Sequence, residues 1–133
     1  MEPEVWYLIL CDDARSDPAN FLRVNVTGLL TRIRCRDVES FPYVNPLLTV
    51  LIMLSECRGT GDLSVRIVHD QTEAVIYRSQ TRRLRFAGSP DELMGFVFRV
   101  RDCPFPDLGL YWVECIFSGT VIARQRFLIT SSM

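Results

Sequence analysis

Apolar and polar residues alternate with a period of two along most of this chain, and no segment has the 3.6-residue period of an amphipathic helix. The alternation is clearest in "LSVRIVH", residues Leu63–His69. Clusters of Gly, Pro, Asp and Ser separate the alternating runs, as turns separate short strands. The pattern predicts an all-β protein: a two-sheet antiparallel β-sandwich, immunoglobulin-like, of eight or nine strands with at most one short helical turn.

The chain has the size of one domain, so its 133 residues, 1–133, are expected to form a single β-sandwich. Hydrophobic residues make up 48% of it, enough for a core that needs no metal or disulfide. The net charge is −1, which argues against nucleic acid as a partner because such domains have a basic excess. All 15 basic residues are arginine, which reflects either codon bias or recognition of carboxylate or phosphate groups.

The N-terminal sequence "MEPEVWYLILCDDA" lacks the basic segment of a secretory signal. No apolar run reaches the roughly 18 residues of a membrane span. We therefore expect a cytoplasmic protein that does not bind membranes. In that compartment its five cysteines are expected to be reduced and mostly buried.

Three segments give specific local predictions. Asp12–Asn20, "DDARSDPAN", is dense in turn-forming residues and predicts a loop. Gly28 interrupts a β-rich segment and predicts a bulge or bend. In Ser89–Met94, "SPDELM", a capping serine, a proline and two acids predict a single helical turn.

The register of the last hairpin follows from the cost of burying charge. Burying Glu114 unpaired is expensive, so the opposite face of its strand is expected to point inward. This inward set is Tyr111, Val113, Cys115 and Phe117. A three-residue loop at 118–120, with a left-handed glycine, gives the last strand a matching set. The members of that set are Val121, Ala123, Phe127 and Ile129. A two-residue loop would instead place Arg124 and Arg126 in the core.

The outward face of this hairpin combines large apolar residues with arginine, the composition of an interface core and its rim. We predict that it forms a two-fold homodimer or docks a protein partner. The predicted interface residues are Trp112, Ile116, Ile122, Arg124, Arg126 and Leu128. The alternative is that a loop such as Phe41–Pro46 covers this face.

The segment "DLGLYWV", Asp107–Val113, resembles the tyrosine corner of immunoglobulin-like sandwiches. In that corner a tyrosine near the start of a late strand bonds its hydroxyl to upstream backbone. The resemblance implies this role for Tyr111. Val113 stands where antibody domains have a disulfide cysteine, so that bridge is not expected.

Three longer segments together resemble a family of small bacterial domains of unknown function. They are "ILCDDARSDPANFLRVNVTGLL", "FPYVNPLLTVLIML" and "FVFRVRDCPFPDLGLYWVECIFSGTVIARQRFLI". The family has a "CDD" after its first strand, a glycine that bends the second, and a "PFP-G-Y…G" segment in its last hairpin. The resemblance spans nearly the whole chain and implies a sandwich in a bacterial cytosolic protein, without catalytic residues to carry over.

Candidate catalytic and metal-binding residues are sparse. The single histidine, His69, ends an alternating strand, a position typical of a structural residue rather than a catalytic base. The cysteines lack the spacing of a zinc site. Acids on two predicted loops would form a calcium site if the loops meet. These acids are Asp12, Asp13, Asp102 and Asp107.

Tyr77–Phe86, "YRSQTRRLRF", interleaves arginines with aromatics, a composition found both in nucleic-acid surfaces and in charged edge strands. The overall charge favours the edge strand. The sequence therefore predicts a non-enzymatic binding module, without a cofactor, that acts through protein–protein contact or self-association. The alternative is a sandwich that binds calcium or a small ligand through its loop acids.

Overall fold

The protein is described by a computed structural model that covers residues 2–35 and 41–131. These residues form ten β-strands and no helix. The strands are β1 (Glu4–Asp17), β2 (Asn20–Leu29), β3 (Arg32–Cys35), β4 (Tyr43–Ser55), β5 (Gly59–His69), β6 (Val75–Arg78), β7 (Arg82–Phe86), β8 (Met94–Phe105), β9 (Gly109–Phe117) and β10 (Thr120–Ser131).

The strands form two sheets packed face to face. The four-stranded sheet has the order β2-β1-β4-β8. The six-stranded sheet has the order β3-β10-β9-β5-β6, and β7 pairs with β5 as well. Strand pairs are antiparallel except for β3 with β10, which is parallel. The prediction of an all-β two-sheet sandwich is confirmed, with ten strands instead of eight or nine.

The core lies between the inner faces of the two sheets, and its largest fully buried side chains include Tyr111, Phe105 and Phe127. All five cysteines are buried free thiols. Burial raises the pKa of Cys103 and of Cys115 from 9.0 to about 12, so both thiols stay protonated and pack as small apolar side chains.

The first hairpin is longer than the sequence indicates. Asp12–Asn20, expected to be a loop, instead continues β1 as far as Asp17, and a two-residue turn leads into β2. Pairing with β2 satisfies the backbone groups that a loop would leave to water. The end of the hairpin packs on the outer face of the four-stranded sheet, where Val24 lies against the cluster that contains Leu51. Gly28 departs from extended backbone with a φ of +65°, and the β1–β2 register is the same on both sides of it, so the position holds no bulge.

Ser89–Met94 forms a tight turn, so the predicted helical turn is wrong. The Glu92 backbone N–H donates to the Ser89 carbonyl at 3.1 Å, and β8 begins at Met94. A single bond of this spacing closes a β-turn, and β8 begins two residues after it, at Met94.

Candidate functional site

The last hairpin carries the predicted interface residues, and a bulge sets its register. β9 and β10 are joined by a two-residue turn in which Ser118 and Gly119 both have positive φ. The pairing then shifts by one residue at Ile122, which is the extra residue of a β-bulge. The bulge returns Arg124 and Arg126 to the outer face, whereas the same turn without it would bury them.

This bulge makes two predictions on β10 wrong. Ile122, expected to face outward in the interface, is partly buried against the core. Val121, expected inside, is 38% exposed and pairs with Ile116. The inward set predicted for β9 is confirmed, since all four of its members are buried.

The other predicted interface residues lie on the outer face of the six-stranded sheet. The half-buried ones are Trp112 and Ile116, and the exposed ones are Arg124, Arg126 and Leu128. Residues 43–46, part of the segment Phe41–Pro46 that could cover this face, belong to β4 in the other sheet. That part of the segment therefore does not cover this face.

The strand order brings arginines from five strands to this same outer face. Residues paired across neighbouring strands share a face, and one row crosses β6, β5, β9 and β10. The row consists of Arg78, Arg66, Glu114 and Arg124. The same pairing and alternation place further arginines on β3, β7 and β10. We call this surface the arginine face; its arginines are Arg32, Arg34, Arg66, Arg78, Arg83, Arg85, Arg124 and Arg126.

The charge of the arginine face is opposite to that of the whole chain. The strands of this face carry eight arginines and two carboxylates, Asp62 and Glu114, so their summed charge is about +6 in a chain of net charge −1. Asp70 and Glu73, in the turn after β5, border the face at one edge. Within the described residues, ion pairs on this face join Arg66 to Glu114 and Arg83 to Asp62. The other six guanidinium groups have no such pair among those residues.

Glu114 faces outward as predicted, yet it is only 7% exposed. It tolerates this burial because the Arg66 Nε–H donates to its Oε1 at 2.6 Å. Beside this pair, the Arg124 guanidinium stacks on the Trp112 ring, 3.9 Å from its centroid. The Trp112 indole N–H donates to Asp70 Oδ1 at 2.8 Å, so the ring is held from its edge and from its face.

Tyr111 forms the predicted corner. Its hydroxyl donates to the Asp107 carbonyl at 2.7 Å and accepts the Asp107 backbone N–H at 3.2 Å. His69 packs edge-on against the Tyr111 ring with centroids 4.8 Å apart, and it is 3% exposed. The Thr72 backbone N–H donates to His69 Nδ1 at 3.1 Å. The imidazole therefore closes the turn between β5 and β6, which is a structural role.

The acids considered for a calcium site are not gathered on loops. Asp12 and Asp13 lie on β1, and Asp13 is ion-paired with Arg15 and Arg99. The hydrogen bond from Arg15 lowers the pKa of the Asp13 carboxyl. Among residues 2–35 and 41–131, no group of three His, Cys, Asp or Glu side chains is placed to hold a metal ion.

The arginine-rich segment Tyr77–Phe86 spans the end of β6 and all of β7. Both strands pair with β5 and with no further strand among the described residues, so the predicted edge position is confirmed. The part of the chain that the structure describes also contains no helix with the length and apolarity needed to cross a membrane.

The sequence indicates the arginines of Tyr77–Phe86 and of the last hairpin as two separate surfaces, and only the strand order shows that they share one face. Comparison with known proteins adds a family but no activity. A family model described as a family of unknown function (DUF6941) matches residues 6–130. No curated protein matches the chain. The match covers nearly the whole sandwich and agrees with the resemblance to a small domain family of unknown function, and the chain therefore belongs to DUF6941.

Proposed function

We propose that this protein is a non-enzymatic interaction module whose arginine face binds an acidic segment of a partner protein. The observation that carries the proposal is the six guanidinium groups of this face that form no ion pair with any described residue. An exposed ion pair is worth only about 0.2–1 kcal/mol, so useful affinity requires several in parallel. The arginine face provides six such groups on one surface.

Charge favours a different protein over a second copy of this chain. In a two-fold dimer through this face, each copy would place the same surface against its equivalent. Two surfaces of about +6 each would repel one another, and such like-charge contacts cost several kcal/mol. The same charges attract an acidic partner and increase its rate of association.

The surroundings of Trp112 favour a protein over nucleic acid. A base-stacking platform needs an open aromatic face, but Arg124 covers the ring of Trp112 at 3.9 Å. The buried thiols and the turn-closing His69 support a role without catalysis, since neither offers an accessible nucleophile or base.

The test measures binding to poly-L-glutamate by wild type and by two double variants. Arg124→Glu with Arg126→Glu lowers the charge of the face from about +6 to about +2. Arg23→Glu with Arg101→Glu is the matched control, since both residues are exposed on strands of the other sheet. We expect the first variant to bind at least about tenfold more weakly at low salt, and the control to stay within about twofold.

Equal weakening by the two variants would show that net charge, and not the arginine face, governs binding. Tighter binding of wild type to single-stranded RNA than to poly-L-glutamate would assign the face to nucleic acid. Binding that requires calcium would favour the alternative of a calcium-dependent sandwich. A stable dimer in light scattering, abolished by Trp112→Glu, would restore the homodimer.

A further inference from the structure

A pocket of about 340 Å³ opens on the arginine face beside Trp112. Arg66, Glu114 and Arg124, neighbours in the row that crosses the sheet, line one part of it. Asp70 and Glu73, from the turn that follows β5, line another part. The pocket therefore carries groups of both charges.

The order of these residues along β5 gives the pocket two ends. Arg66 and Val68 share a face, and Asp70 follows the strand two residues further on. Val68 pairs with Trp112, so both lie between the arginine end and the acidic end. The pocket runs from a positive end, over an apolar floor, to a negative end.

Each end retains charge that is not neutralised within the described residues. At the positive end Glu114 pairs with Arg66, which leaves the guanidinium of Arg124 without a carboxylate partner. Because that group is stacked on Trp112, its N–H edge is held in place for an in-plane carboxylate. At the negative end, Glu73 is exposed and forms no ion pair with the described residues.

The size of the pocket limits what reaches both ends. The Arg124 guanidinium lies 3.9 Å over the Trp112 ring and Asp70 Oδ1 lies 2.8 Å from its indole nitrogen, so little more than one indole ring separates the two ends. In an extended chain, side chains at i and i+2 point to the same side and lie about 6.6 Å apart. The two charges of a free amino acid are attached to one carbon atom and are too close together to reach both ends.

We propose that this pocket binds an extended segment that carries a carboxylate at one position and a basic side chain two residues away. The carboxylate binds at Arg124, the basic group binds at Glu73, and the residue between them lies over Val68, beside the Trp112–Arg124 stack. This inference rests on the proposed function and adds to it a rule for the partner sequence: an acidic segment with one basic residue.

The test uses four capped pentapeptides and the two tryptophan indole N–H signals in NMR spectra. Ala-Glu-Val-Lys-Ala has the proposed spacing, and Ala-Glu-Lys-Val-Ala has the same composition with the charges adjacent. Ala-Glu-Val-Glu-Ala and Ala-Lys-Val-Lys-Ala have the spacing with one sign of charge. We expect the first peptide to bind at least about threefold more tightly than the others and to shift the signal of Trp112 but not that of Trp6.

Two single substitutions test which peptide charge binds at each end of the pocket. Glu73→Gln should weaken binding of the Glu-Val-Lys peptide about threefold and strengthen binding of the Glu-Val-Glu peptide. The control is Glu4→Gln, which changes an exposed acid of the other sheet and should leave both affinities unchanged. Arg124→Gln should weaken the Glu-Val-Lys peptide and strengthen the Lys-Val-Lys peptide, with Arg101→Gln as its control.

Tightest binding of the Glu-Val-Glu peptide, with no effect of Glu73→Gln, would overturn the pocket proposal and leave the arginine face as a purely cationic surface. Failure of every peptide to shift the Trp112 signal would also overturn it. Neither result bears on poly-L-glutamate, so a failure of the pocket proposal is distinguishable from a failure of the proposed function.

Discussion

Replacing Tyr111 by phenylalanine removes one hydroxyl group from a fully buried ring. That hydroxyl donates to the Asp107 carbonyl at 2.7 Å and accepts the Asp107 N–H at 3.2 Å. A buried hydrogen bond contributes about 1 kcal/mol net, and the longer bond contributes less, so the free energy of unfolding should fall by about 1–2 kcal/mol. Tyr111→Ala also removes the ring from Phe105 and Phe127 and should cost about 3–5 kcal/mol.

Urea denaturation followed by circular dichroism measures these losses. Tyr7→Phe is the matched control, because it removes the same hydroxyl from a residue that is 54% exposed, and it should change stability by less than about 0.5 kcal/mol. Hydrogen exchange of the Asp107 amide should become faster in Tyr111→Phe, since that N–H loses its acceptor. A Tyr111→Phe protein as stable as wild type would refute the corner, leaving Tyr111 as a core ring whose hydroxyl contributes nothing.

Two further predictions concern the core thiols and the bend in β2. Stability should fall as pH rises from about 9 toward 12, because Cys103 and Cys115 stay protonated when folded but ionise when unfolded. Each thiol lowers the free energy of unfolding by about 1.4 kcal/mol per pH unit in this range. In urea titrations, Cys115→Ala should therefore reduce the slope of stability against pH by this amount. An unchanged slope would show that burial does not keep the Cys115 thiol protonated. Gly28→Ala should destabilise by roughly 1 kcal/mol more than Gly59→Ala in the same assay. The two glycines have similar positive φ values. A Cβ at Gly28 meets the carboxylate of the exposed Asp12, which must rotate away from β2, whereas the space at Gly59 is open. Equal losses would show that Asp12 moves without cost.

The period-two pattern is sufficient to predict the sandwich, because alternation reports which face of each strand is buried. The register of β9 is also predictable, since the alternative would put Glu114 in the core. The corner at Tyr111 is also predictable, because its hydroxyl bonds to backbone only four residues earlier in the sequence. In each case the relevant interactions lie within one strand or one turn.

The errors arise where distant contacts override local signals. The acids and serine of Asp12–Asn20 favour a turn, but pairing with β2 and packing on the four-stranded sheet extend β1 through them. At the last hairpin, the sequence indicates one left-handed residue, Gly119, but Ser118 also has a positive φ. No local sequence pattern indicates the bulge at Ile122. The arginine face requires the strand order, which no single segment contains.

Capture from an extract of the native host shows whether the arginine face binds an acidic protein. The extract is treated with nuclease and a calcium chelator, and the captured proteins are quantified by mass spectrometry. The baits are wild type, Arg124→Glu with Arg126→Glu, and Arg23→Glu with Arg101→Glu. We expect wild type and the control to retain the same acidic protein, and the arginine-face variant to lose at least about nine-tenths of it. Equal retention of that protein by all three baits would show that the arginine face does not bind it.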